Sequence, residues 1–256
     1  QAGFPFTPGT CRRGILFVFA DQWTFWALGS AGNREVRTPR LDRFAAESVN
    51  CHRAVSSSPV CTPARASLLT GLRPDRHGLF LNDAPLNADL PSLGKHFHAA
   101  GYDTAYIGKW HVNGHRRSAY IPPERRHGFQ YFKALECTHN YNRSRYYAND
   151  DPTARFWDGY DAFAQTDDLI AWLQNRGETT QPFCALLSWG PPHNPYDTAP
   201  ESYRNRYSKE ALTLRPNVPD FLEEQARGNL AGYYAHCEAL DTAFGRLLDA
   251  LDALGK

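Results

Sequence analysis

The chain has 256 residues, with 28 Lys and Arg against 27 Asp and Glu, a formal net charge of +1. That balance excludes bulk electrostatic attraction to nucleic acid or an anionic membrane, so any anion binding must be local. The length admits one large α/β domain or two small ones. The longest apolar runs, such as Gly14 to Ala20, fall far short of the roughly 20 residues needed to span a bilayer. The chain starts at Gln1 and contains no Met. A cleaved secretory signal would account for such a start, which favours an exported or periplasmic compartment over the cytoplasm and leaves the compartment open. The six cysteines (Cys11, Cys51, Cys61, Cys137, Cys184, Cys237) are scattered without a C-x-x-C pair, which argues against zinc or a redox dithiol. For most of them the plain reading is a small buried hydrophobe.

In chain order, Gly14 to Ala20 is an unbroken apolar run ending in Asp21-Gln22, the pattern of a strand buried on both faces with polar groups at its C-terminal end. Arg40 to Ser48 reads as an amphipathic helix with Leu41, Phe44 and Ala45 on one face. A short β segment is expected around Cys51 to Val55, followed by a helix from Pro63 to Thr70 with Gly71 as its stop. Leu93 to Ala100 reads as a helix closed by Gly101. Asp103 to Ile107 reads as a strand that delivers Gly108-Lys109-Trp110-His111. Residues 116–155, rich in Tyr, Asn, Arg and Pro, read as long surface loops. Asp161 to Arg176 is helical in pattern, and Pro182 to Trp189 is a second buried strand ending in Pro192-His193-Asn194-Pro195. A polar stretch from Pro200 to Pro219 precedes a long helix from about Phe221 to Leu254, striped by Tyr233, Leu240, Phe244, Leu247, Leu248 and Leu251. Strands alternating with helices predict an α/β fold with a largely parallel sheet.

Three strand ends then carry polar groups: Asp21 with Gln22, Lys109 with His111, and His193. Cys61 to Arg65 opens a helix. Each alone is ordinary, because strand ends often carry turn residues and a Lys-x-His pair is usually a solvated face. Jointly they converge on the sheet edge where open α/β folds bind ligands. Cys61 at a helix N-terminus with Arg65 one turn later is expected to sit in a positive field that favours a thiolate or another anionic nucleophile. Tyr141, Arg143, Arg145, Tyr146, Tyr147, Trp157 and Tyr160 form an aromatic and basic set that fits either a pocket for an anionic sugar, where rings stack and arginines pair with charged groups, or plain loop packing.

Cys61-Thr62-Pro63-Ala64-Arg65-Ala66-Ser67-Leu68-Leu69-Thr70-Gly71 resembles, over eleven residues, the signature of the sulfatase family in the alkaline-phosphatase-like superfamily. Ile15 to Trp23, Thr38 to Asp42, Gly108 to His111, Pro192 to Pro195 and Tyr233 to Leu248 resemble other segments of that family in the same order. The resemblance implies an alkaline-phosphatase-like fold with helices on both faces of the sheet, residues 1–256 being the N-terminal portion of one catalytic domain. It implies hydrolysis of a sulfate monoester of a carbohydrate or small organic sulfate, with Cys61 oxidised to formylglycine by a dedicated generating enzyme. The hydrate attacks sulfur, and its second hydroxyl lets the sulfate hemiester collapse back to the aldehyde. By resemblance Arg65 and Lys109 steady the hydrate and sulfate oxygens, His111 deprotonates or orients the hydrate, and His193 is the candidate acid for the departing alcohol. Asp21, Gln22 and modified Cys61 would hold a divalent metal, Ca²⁺ first, with Mn²⁺ or Mg²⁺ as alternatives. Gln22 stands where many members have a second aspartate, a feature shared with phosphonate monoester and phosphodiester hydrolases, which are the alternative reading beside a non-catalytic homologue. The family's second metal-binding pair and a further lysine have no counterpart before Lys256, so the remainder is expected in cis or as a separate chain. On that reading the sheet edge and the stripe on the long helix would stand uncovered.

Overall fold

The computed structural model describes residues 13–177 and 179–256; Cys11 lies outside the described residues. The chain runs β1 (Ile15–Asp21), α1 (Pro39–Ala46), α2 (Cys61–Thr70), α3 (Pro74–His77), α4 (Leu93–Ala99), β2 (Asp103–Lys109), β3 (Tyr131–Leu135), β4 (Arg145–Ala148), β5 (Asp151–Phe156), α5 (Asp161–Asn175), β6 (Phe183–Pro192), α6 (Glu201–Arg204) and α7 (Glu223–Ala253). The strands form one sheet in the order β1-β6-β2-β3-β4-β5.

The central strand β6 is buried along its whole length, which an apolar run such as Phe183 to Leu187 requires when helices cover both faces. Its side chains alternate between two cores. Ala185, Leu187 and Trp189 pack with Ile107 of β2, Leu169 of α5 and Leu240, Phe244 and Leu247 of α7. Cys184 and Leu186 face the opposite side, with Tyr106 of β2 and Ala66 and Leu69 of α2. Burying a Leu or Phe contributes about 1.5–3 kcal/mol each, so these two layers hold the strand ends in place.

The β1-β6, β6-β2 and β2-β3 pairings are parallel, as the alternation of strands and helices predicts. Four expectations are corrected. Residues 116–155 contribute three strands, and β3-β4 and β4-β5 pair antiparallel. Tyr131 to Leu135 does alternate, with Phe132 and Ala134 buried, but β5 is an edge strand whose Arg and Thr side chains leave no apolar signal. The β segment at 51–55 is absent, because no described strand lies beside it to complete a ladder, and Val49 and Val55 are exposed. Strand β1 is only half-buried, because it forms the other edge and leaves Phe17 at 40 % exposure. The stripe on α7 is not uncovered: Leu240, Phe244 and Leu247 are buried against this chain's own sheet.

Candidate active site

The C-terminal ends of β1, β6 and β2 lie side by side and deliver Asp21, the turn after Pro192, and Lys109 to one place. Helix α2 points its first turn at them. No side chain of its own caps it; instead the Thr62 N–H donates to Asn82 Oδ1 at 2.9 Å, and the Thr62 hydroxyl donates to the His111 carbonyl at 2.8 Å. These bonds fix the helix start, and with it Cys61.

Cys61 Sγ lies 3.5 Å from each carboxylate oxygen of Asp21 and 3.7 Å from Lys109 Nζ. The Lys109 ammonium donates to Asp21, and both groups are buried. Arg65, 5 % exposed, donates to the Lys109 carbonyl at 2.6 Å and to Ser188 Oγ at 2.8 Å; its other terminal nitrogen lies 3.7 Å from Asp21. One guanidinium thus joins α2 to β2 and β6. Burial alone would raise the Asp21 carboxyl, but the charges of Arg65 and Lys109 outweigh it and hold the group down at about 2. The Cys61 thiol moves the other way: burial, seconded by Asp21, raises it despite Lys109 and Arg65. The expected positive field therefore does not produce a thiolate, because Asp21 takes up the positive charge first, and an unmodified thiol here is a poor nucleophile.

A cavity of about 600 Å³ opens onto this cluster, lined among others by Asp21, Gln22, Cys61, Arg65, Asn82 and His193. Lys109 touches Asp21 and Cys61 but is not among the residues that line the cavity. His193 stacks on His139, with ring centroids 4.8 Å apart, and its Nδ1 donates to the Asn194 carbonyl at 2.9 Å. A neutral His193 therefore presents a bare Nε2. Gln22 is exposed at φ 67°, its carbonyl accepting from Tyr233 Oη at 2.8 Å. His111 is not among the lining residues: its buried ring pairs through Nε2 with Asp83 at 2.9 Å.

Residues 13–256 match the family model Sulfatase. The chain belongs to the sulfatase family. It is 50 % identical over 244 residues to an ulvan-active sulfatase of Formosa agariphila, covering 95 % of this chain and 48 % of that protein. It is 31 % identical to an endo-4-O-sulfatase of Bacteroides thetaiotaomicron, covering 94 % of this chain and 55 % of the relative. Among solved structures, a 4S-sulfatase from a glycosaminoglycan-metabolism locus of Bacteroides thetaiotaomicron superposes with a TM-score of 0.86 at 30 % identity, over 95 % of this chain and 58 % of the other. The chain spans about half the length of the curated relatives it matches. Sulfatases use formylglycine and a divalent metal.

The donor set fits part of such a metal site. Ligand atoms of Asp21, Cys61 and His193 lie within 4.8 Å of one another, and the low-lying Asp21 carboxyl stays ionised, as a hard cation requires. Asp21 and Gln22 offer at most three side-chain oxygens, whereas Ca²⁺ takes 6–8 oxygen ligands. His139, Asn82, Asp83, Arg117, Tyr106 and Ser188 support this cluster without having been singled out in the sequence. Only Tyr106 and Ser188, polar side chains inside apolar strand runs, leave a readable trace there. The aromatic set of residues 141–160 is packing rather than a pocket: Tyr141, Tyr147, Trp157 and Tyr160 are buried, Tyr146 stacks on Trp157 at 3.9 Å, and Arg143 and Arg145 lie over Phe156.

Proposed function

We propose that this chain is the N-terminal portion of one sulfatase catalytic domain, residues 1–256, and that the whole protein hydrolyses sulfate monoesters of an anionic carbohydrate. The observation that carries the reading is the buried Asp21-Arg65-Lys109 cluster closed around Cys61 Sγ at the start of a helix with the Cys-Thr-Pro-Ala-Arg sequence. The carbohydrate preference rests on the ulvan-active and glycosaminoglycan-locus relatives.

As formylglycine, installed by a generating enzyme, Cys61 would supply an aldehyde hydrate whose one hydroxyl attacks sulfur and whose other permits release of sulfate by restoring the aldehyde. Asp21, Gln22 and the modified Cys61 would hold the cation, Ca²⁺ by the hardness of the oxygen donors, which would polarise the sulfate ester. Arg65 and Lys109 supply two fixed positive charges for the sulfate oxygens as charge builds there. Their bonds to Ser188 and Asp21 set them before substrate arrives, so little reorganisation is required in the reaction. His193, at the cavity wall, donates a proton to the departing alcohol oxygen when charged, and His111 orients the nucleophile.

Mass spectrometry of the Cys61 peptide, after expression of the whole protein with a generating enzyme, is the first test. The expected result is the lighter aldehyde form together with turnover of sulfated ulvan oligosaccharides. An unmodified thiol, or preference for phosphonate monoesters over every sulfate ester tried, overturns the proposal.

A further inference from the structure

His111 is 2 % exposed, and its Nδ1 is buried without a hydrogen-bond partner among the described residues. Its Nε2 is paired with Asp83 Oδ1 at 2.9 Å. Asp83 is gripped from the other side by Arg117, whose Nε and Nη2 reach its two carboxylate oxygens at 3.1 and 2.9 Å. The dipeptide Asn82-Asp83 therefore spans the site: Asn82 caps the helix that starts at Cys61, and Asp83 holds the ring of His111. The Asp83 backbone takes φ 63°, a conformation that Asp, Asn and Gly adopt more readily than other residues.

We infer that Asp83 is a positioning residue that locks His111 as the Nε2–H tautomer, leaving Nδ1 bare as the ring's acceptor for a hydroxyl of the matured nucleophile. This rests on the sulfatase reading above. A carboxylate that accepts two bonds from Arg117 has only acceptor capacity left for the imidazole, so the shared proton must sit on Nε2. Arg117 and His111 together hold the Asp83 carboxyl down at about 2, so it stays ionised, and burial holds His111 down at about 4, so the ring is neutral and has one N–H to place. Nδ1 then carries a lone pair. Buried polar atoms in folded proteins are almost always paired, so a bare Nδ1 calls for a donor that the thiol form does not provide. The aldehyde hydrate adds a hydroxyl at Cys61, next to Thr62, whose side chain is bonded to the His111 carbonyl. An exposed Asp-Arg pair alone would be worth under about 1 kcal/mol and would explain nothing about the ring.

The test uses the whole matured enzyme with ¹⁵N-labelled histidine, the His111 signals being identified by their loss in His111→Gln. The wild type is expected to show a neutral His111 ring with the proton on Nε2. Asp83→Asn puts an amide N–H in competition for Nε2, and Asp83→Gly removes the carboxylate without straining the backbone. Both are expected to abolish the fixed Nε2–H signature and to lower kcat by about 10²-fold, the low end of what a positioned acid–base group supplies, with KM changed less than about threefold. Arg117→Gln should leave the tautomer as it is. A wild-type ring protonated on Nδ1, a signature unchanged in both Asp83 variants, or a changed signature with undiminished kcat each overturns the inference. The tautomer is read without turnover, so failure here is distinguishable from failure of the sulfatase proposal, which would show as a wild type inactive on every sulfate ester.

Discussion

At the scale of single residues, Asp21 does two jobs: it is the acidic group that touches Cys61 among the described residues, and it is the counter-ion of two buried cations. Removing it by Asp21→Ala leaves Arg65 and Lys109 buried and unpaired, and losing one partner of a buried ion pair typically costs about 3–5 kcal/mol. The measurement is the denaturant midpoint of the whole protein without metal, and a loss below about 1 kcal/mol would show that the cluster is not electrostatically coupled. The same carboxyl gives an acid limb. Its folded value of about 2 lies below the ordinary 3.8, so the folded state binds the proton less readily than the unfolded one. The stabilisation, about 2 kcal/mol, is present above pH 4 and is lost as pH falls from about 4 to about 2. Denaturation curves at pH 5 and pH 2.5 check this, and Asp21→Asn should flatten the difference. At Cys61 the expected effect is on chemistry. Cys61→Ala should abolish turnover and leave the thermal midpoint within about 2 °C, because half-buried Cys61 removes little core. Cys61→Ser should instead trap or slow the ester, since serine attacks but has no aldehyde to regenerate. Retained activity above a few per cent in Cys61→Ala is the contrary result.

At the scale of elements, the start of α2 is built by a loop rather than by the helix itself. Asn82→Ala should cost about 1 kcal/mol, the usual worth of a cap, and should loosen Cys61 along with it. Unfolding by urea reads the first effect, and slower maturation of Cys61 reads the second. The strand-end geometry is stricter. Gly108 takes φ 108°, and an added Cβ would stand 2.0 Å from the Ser188 carbonyl oxygen, so β2 and β6 approach closely only because this residue is glycine. What the sequence made legible follows from these differences. Parallel strands read clearly because burial on both faces makes them continuous apolar runs, as in Phe183 to Leu187. The convergence of Asp21, Cys61, Arg65, Lys109 and His193 was legible for the same reason, since each sits at the end of such a run or at a helix start. Strand β4 was hidden because four residues are too few to show a period, and β5 because an edge strand has no apolar alternation to show. Asp83, Arg117 and His139 were hidden because they reach the site from irregular loops, where no period links position to direction.

At the scale of the molecule, the near-zero net charge leaves the Cys61 pocket as a local concentration of positive charge around one carboxylate, which acts on an anionic group at close range rather than as a long-range electrostatic funnel. No helix among the described residues is long and apolar enough to cross a membrane. Strand β6 and the buried face of α7 are covered by this chain's own elements. The outer edge of β1 has no partner strand among the described residues, and Phe17 is exposed on it. That unpaired edge runs up to Asp21, so a strand added there would pair with β1 and stand beside the Cys61 cluster.

Stability and metal affinity should therefore rise together when the rest of the protein is present. Asp21 and Gln22 supply too few oxygens for Ca²⁺, and the Asp21 carboxylate is already engaged by the Lys109 ammonium, which a cation would have to displace. With one carboxylate against two buried cations, the local charge also opposes a divalent ion until further anionic ligands arrive. Titration calorimetry of residues 1–256 with Ca²⁺ and with Mn²⁺ should accordingly show weak binding, while the longer protein should bind tightly. Ligand bound to the folded state alone stabilises by RT ln(1 + [L]/Kd), about 2.7 kcal/mol at a hundredfold excess over Kd. Added Ca²⁺ should thus raise the thermal midpoint of the longer protein by several degrees and leave that of residues 1–256 nearly unmoved. Tight stoichiometric binding by residues 1–256 alone would show that Asp21, Gln22, Cys61 and His193 suffice, and the idea of a site completed from outside this chain would fall.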